Sequence, residues 1–144
     1  MRRVYPTVRY DAFISYRHGE PDRSWVRQVL GPALEARALH ICIDYRCFRV
    51  AAPIVLEMER AVVQSRYTIA VMTPPYLESS FVELENVLAD HLGLELRQRR
   101  LIAVMREHCV PPLRIRARVF LDMTDDTMLE KSLVTLADVI RSPP

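Results

Sequence analysis

Five short, almost unbroken apolar stretches, each separated from the next by residues with helical spacing, constrain this chain more than any other feature. Tyr10 to Tyr16 (YDAFISY), His40 to Asp44 (HICID), Thr68 to Met72, Arg100 to Met105 (RLIAVM) and Val119 to Asp122 read as strands. Strands that are continuously apolar, rather than alternating, belong to a parallel sheet covered on both faces. Right-handed crossovers then leave a doubly wound α/β sheet. The expected architecture is a flavodoxin-like three-layer sandwich, its five parallel strands in the order 2-1-3-4-5.

Four helical segments fit between and after these strands. Asp22 to Ala38 carries Trp25, Val29 and Leu34 at helical spacing, with Asp22 or Ser24 as cap. Pro32 within it predicts a kink, or an early stop near Leu30. Ile54 to Ser65 places Ile54, Met58, Ala61 and Val62 on one face, Ser80 to Leu96 follows Pro74-Pro75, and Asp126 to Ile140 carries Leu129, Leu133, Leu136 and Ile140. Tyr45 to Pro53 reads as a loop of mixed character. Residues 1–144 form one domain with a folded core over about 8–141. Ser142-Pro143-Pro144 cannot continue the last helix and reads as a linker or simply an end of the chain, with a further domain expected beyond it.

Composition narrows the function. Half of the 144 residues are apolar and 26% are charged, with a net charge of +2. That balance is too even for nucleic-acid binding, which needs a concentrated basic face; Arg2-Arg3 and Arg97 to Arg100 read as solvated ends of elements. No apolar stretch follows Met1-Arg2-Arg3 and no run is long enough to span a bilayer. With three cysteines (Cys42, Cys47, Cys109) lacking repeated spacing, the expectation is a cytoplasmic protein with reduced thiols and no membrane contact. Only three glycines occur, and none makes a dinucleotide fingerprint or a P-loop. No nucleophile elbow is present, and no metal site is expected, since His108-Cys109 has no second pair at zinc spacing. A receiver domain would end its third strand in an acid where this chain has Met72-Thr73.

In such a sheet a ligand site forms beyond the carboxyl ends of the strands, at the switch between the first and third. That places Tyr16 to Gly19, Asp44 to Val50 and Thr73 to Glu85 together. Ser80 with Glu83 has the form of a capping box, which assigns Glu83 a structural role. Phe81, Leu84 and Leu88 then form the buried stripe. Glu85, one turn beyond Phe81, falls on the border of that stripe, where a carboxylate beside an aromatic is a candidate for chemistry. The alternative is an ordinary glutamate on a helix flank.

Several of these segments resemble one family. Tyr10 to Tyr16 is similar to the opening strand of Toll/interleukin-1 receptor (TIR) domains, and Ile43 to Ala51 resembles their second strand and the loop after it. Ser79 to Glu85 resembles their Ser-x-Trp-x-x-x-Glu segment, and Pro112-Leu113-Arg114-Ile115-Arg116 looks like a late loop of bacterial members, to which the chain is most similar. The resemblance covers essentially the whole chain. It implies that NAD+ is a substrate, not a cofactor, cleaved between nicotinamide and ribose to a linear or cyclic ADP-ribose, with Glu85 as the catalytic residue. Arg17 and Arg49 are then candidates for the pyrophosphate, and Phe48 and Phe81 for ring stacking. Tyr16, His18 and Asp44 complete the expected site. The plainer roles stay open: Arg17 caps the first strand, Phe48 plugs the loop into the core, and Asp44 orients the first βα loop.

The chain departs from the family pattern at three places. Phe81 stands for the usual tryptophan, Cys47 for an acid, and Val50-Ala51 for Pro-Gly, so a φ > 0 in that loop would be strained. The resemblance equally implies self-association, or association with other TIR domains, through residues 45–53. A non-catalytic interaction module is therefore the rival reading, in signalling or immunity.

Overall fold

The computed structural model describes residues 8–91, 100–112 and 120–144. The expected segments 2–3, 92–99 and 113–119 therefore lie outside the described residues; they include the basic run before Arg100, the late Arg-rich loop and the start of the last strand.

Among the described residues the strands are β1 (Tyr10–Ser15), β2 (Ile41–Cys42), β3 (Ser65–Met72), β4 (Leu101–Met105) and β5 (Leu121–Asp122). They form one sheet in the order β2-β1-β3-β4-β5, every pair parallel, as in flavodoxin-like folds. β3 starts earlier than its apolar run, because Tyr10 pairs with Ser65 and Arg9 N–H donates to Gln64 O at 2.8 Å. β2 is shorter than HICID. Only Ile41 and Cys42 pair with β1, since the chain turns at Ile43 into the one-turn helix α3 (Asp44–Cys47). Part of the expected loop is thus helical.

The segment after β1 does not stop at Leu30. It runs as α1 (Asp22–Trp25), one π-helical turn (Val26–Leu30) and α2 (Gly31–Glu35). Pro32 has no N–H to give the preceding turn. The widened turn accommodates this, with Gly31 N–H reaching back to Val26 O and Ala36 N–H to Pro32 O. Gly31 is needed for space here: a Cβ on it would lie 2.6 Å from Ile43 Cδ1.

The remaining described helices are α4 (Ile54–Gln64), α5 (Pro74–Glu78), α6 (Ser80–His91) and α7 (Leu129–Arg141). Alternate β1 side chains divide the core in two. Ala12, Ile14 and Tyr16 pack with Val26, Leu30 and Leu34, and with the Leu133, Leu136 and Ile140 stripe of α7. Phe13, Ala70 and Met72 pack with Met58 and Val62 of α4 and with Phe81, Leu84 and Leu88 of α6.

The capping box is displaced. Ser80 is already the first residue of α6, and the residue before it, Ser79, accepts from Glu83 N–H at 3.5 Å through its carbonyl. Glu83 is accordingly free for another task.

Candidate functional site

A cavity of about 230 Å³ opens beyond the carboxyl end of β1, where the strand order switches. Phe13, Ile14, Phe48, Ile54 and Met58 make its apolar wall. Ser15, Tyr16, His18, Asp44, Ser80 and Glu83 supply its polar groups. The first βα loop, the turn after β2 and two helices thereby converge on one hollow.

Asp44 is its most heavily connected side chain. The Tyr16 hydroxyl donates to Asp44 Oδ1 at 2.5 Å and accepts from Arg27 Nε at 2.9 Å. His18 Nε2 stands 3.3 Å from Asp44 Oδ2, and Arg27 Nη2 3.7 Å from the same oxygen. The His18 ring also leans on Tyr16, centroids 4.9 Å apart. Burial, then the bond to Asp44, push the Tyr16 phenol far above its ordinary range, so it stays a neutral donor. Phe48 stacks on Phe13 with centroids 6.0 Å apart, which draws the loop after β2 onto the core, and both residues line the cavity.

Four of the expected site residues thus come together: Tyr16, His18, Asp44 and Phe48. The other four do not line the hollow. Arg17 folds back over Gly19 and donates to Glu20 O at 3.2 Å, within its own loop. Arg49 donates to Glu57 Oε1 at 2.6 Å through Nε and at 3.2 Å through its backbone N–H. Glu57 is 1% exposed and also takes Arg60 Nε at 2.7 Å, so the Arg49 guanidinium first, and Arg60 with it, hold its carboxyl near pKa 2 against the opposing effect of burial. Phe81 is 1% exposed and packs on Tyr76, which makes it a core ring and leaves no face for a ligand.

Glu85 is half-buried on the flank of α6. Its charge acts on Tyr76, whose hydroxyl shares a 2.9 Å hydrogen bond with Ser15 Oγ. Ser15 lines the cavity and Glu85 does not.

Sequence reasoning did not name Ser15, and it placed Ser80 and Glu83 near the site only as a capping pair; all three line the cavity. Ser80 and Glu83 are one helical turn apart, a spacing that marks a shared face as well as a capping box. That spacing was the available signal.

The loop after α3 carries a second feature. Ala51 has φ 65°, the left-handed region that disfavours a side chain. Beyond it, Val50 is 98% exposed, and Ile54, Val55 and Leu56 are exposed beside it. No helix among the described residues is long and apolar enough to cross a membrane.

Comparison with known proteins gives one consistent result. A family model described as TIR domain matches residues 12–136. Toll-like receptor 6 from Bos taurus is 33% identical over 85 residues, 59% of this chain and 10% of that protein. Protein toll from Drosophila melanogaster is 31% identical over 99 residues, 67% of this chain and 9% of that protein. The chain therefore spans about a tenth of the length of these relatives. Among solved structures, the TIR domain of the Toll-related receptor TRR-2 from Hydra magnipapillata superposes with a TM-score of 0.77 at 22% identity, covering 93% of this chain and all of that one. A TIR-STING receptor from C. gigas in complex with 2′,3′-cGAMP gives 0.75 at 23% identity, covering 97% of this chain and 43% of that one. At such identities these likenesses establish the fold.

Proposed function

The chain belongs to the TIR domain family, and from that premise we propose that it is an NAD+ nucleosidase, cleaving the bond between nicotinamide and its ribose. The observation that carries this reading is a partly aromatic cavity at the sheet's switch point, with the half-buried carboxylate of Glu85 on the flank of α6, the helix that lends Ser80 and Glu83 to its wall. About 230 Å³ is below the usual size of a pocket for a drug-sized ligand. It accommodates one ring, and the rest of a dinucleotide lies across the mouth.

In the reaction the C–N glycosidic bond breaks and its electron pair leaves with nicotinamide, which departs neutral and needs no general acid. The ribose becomes oxocarbenium-like, as in glycoside hydrolysis. Glu85 opposes that developing charge and holds the ribose hydroxyls. Water then adds to the sugar carbon and loses a proton to solvent, giving ADP-ribose; attack by the adenine of the same molecule gives a cyclic product instead. Arg49, though bonded to Glu57, is 67% exposed, and a pyrophosphate arriving at the mouth can draw on its remaining donors.

The test is nicotinamide release by concentrated protein, wild type against Glu85→Ala. Release that disappears with the substitution supports the reading. Its absence from the wild type, even under crowding, overturns the enzyme assignment, and full activity in Glu85→Ala overturns the residue.

A second reading is favoured by the exposed Val50, Ile54, Val55 and Leu56. These apolar side chains flank residues 45–53 and fit a module that docks on other TIR domains, or on copies of itself, in cytoplasmic signalling. The two readings are compatible if the assembly completes the site.

A further inference from the structure

Among the described residues lining the cavity, Glu83 is the acidic side chain without an ion-pair partner. Its carboxylate makes no hydrogen bond or ion pair with another described residue. The other lining acid, Asp44, is met by Tyr16, Arg27 and His18. The two arginines closest in sequence to the cavity walls are engaged elsewhere, Arg17 over Gly19 and Arg49 on Glu57. A hollow walled by Phe13, Phe48, Ile54 and Met58, and sized for a single ring, thus carries an unbalanced negative charge.

We infer that Glu83 is a specificity-determining residue that selects a positively charged heteroaromatic ring, of the pyridinium class, in this cavity. The inference rests on the reading above, of which it identifies the subsite for the departing ring. A flat cation is attracted by the carboxylate, whereas a neutral ring of the same shape has only the apolar contacts.

This assigns the two glutamates of α6 different work. The substrate ring is cationic and becomes neutral as it leaves, while the positive charge moves to the ribose. Attraction to Glu83 is therefore strongest in the ground state and fades toward the transition state, which lowers KM without raising kcat. The neutral product ring is then held more weakly than the substrate ring, which favours its release. Glu85, assigned above to the charge that develops on the ribose, acts in the opposite sense, on kcat.

The direct experiment titrates the protein with the ring-N-methylated nicotinamide cation and, separately, with neutral nicotinamide, following NMR signals of Phe48 and Met58. Wild type should bind the cation roughly fivefold more tightly than the neutral ring. Glu83→Gln, an exposed position whose fold is checked from the same spectra, should bind both alike. Equal affinities in the wild type, no response of the cavity signals to the cation, or a preference that survives Glu83→Gln would each overturn the assignment. The titration involves no turnover. A protein that releases no nicotinamide yet prefers the cation refutes the nucleosidase reading and upholds the subsite, and the converse result does the reverse. If turnover occurs, Glu83→Gln should raise KM roughly fivefold with kcat unchanged or higher.

Discussion

Tyr16 and Asp44 are joined by a 2.5 Å hydrogen bond that ties the residue just past β1 to the first residue of α3. It fixes the polar side of the cavity, since Asp44 Oδ2 also meets His18 and Arg27. A buried hydroxyl bonded to a carboxylate is worth more than a neutral pair.

Tyr16→Phe should therefore lower stability by about 1.5 kcal/mol in urea denaturation. Asp44→Asn should lower it too, and the double substitution should cost less than the two losses added together. Strict additivity would mean that the bond contributes nothing of its own.

Glu57 predicts an acid-sensitive contribution to stability. Its folded pKa lies near 2, below the ordinary 4.5, chiefly because of Arg49 and then Arg60. A depressed carboxylate contributes stability that is full above the unfolded value and is lost as pH falls through the folded one. The advantage of wild type over Glu57→Gln should thus be constant above about pH 5 and shrink between 4.5 and 2. An advantage that does not change with pH across that interval would contradict the assignment.

Ala51 holds a left-handed φ of 65° in the loop after α3. Glycine adopts that conformation without steric cost, so Ala51→Gly should stabilise the fold by roughly 0.5–1 kcal/mol, the relief of strain outweighing the added freedom of the unfolded chain. Ala52→Gly, at a neighbour whose φ is not positive, should instead destabilise. The two melting temperatures, moving in opposite directions, are the check.

Phe81 and Glu85 should separate stability from chemistry. Emptying the space of a ring that is 1% exposed and packed on Tyr76 should cost about 3–5 kcal/mol in Phe81→Ala, and clearly less in Phe81→Leu. Glu85→Gln should cost far less stability than Phe81→Ala while abolishing nicotinamide release. If Phe81→Leu raised KM with little loss of stability, the ring would be a ligand contact after all.

Val50 reports on assembly. If copies complete one another's sites, activity rises more steeply than linearly with protein concentration. Val50→Asp, at a 98% exposed position, should flatten that dependence and leave the melting temperature within a degree or two. A concentration dependence unchanged by the charge would remove this loop from the interface.

Much of this was legible in the residues because it depends on local rules. Continuous apolar runs mark strands buried on both faces, and all five appear in the sheet in the expected order. The residue standing where the family carries glycine, Ala51, does take a positive φ. Glu85 does lie on the border of the buried stripe of α6. Tertiary structure decided the rest. Which acid of α6 reaches the cavity depends on the rotation of that helix about its own axis, set by α4, α5 and the sheet beside it; each residue turns the face by about 100°, so Glu83 and Glu85 point apart. Whether Arg49 is available for a ligand depends on Glu57, a partner eight residues away on another element. Whether Pro32 ends a helix depends on room for a widened turn, which Gly31 against Ile43 provides. Periodicity read along a chain specifies what a segment buries, and only packing between segments specifies what it faces.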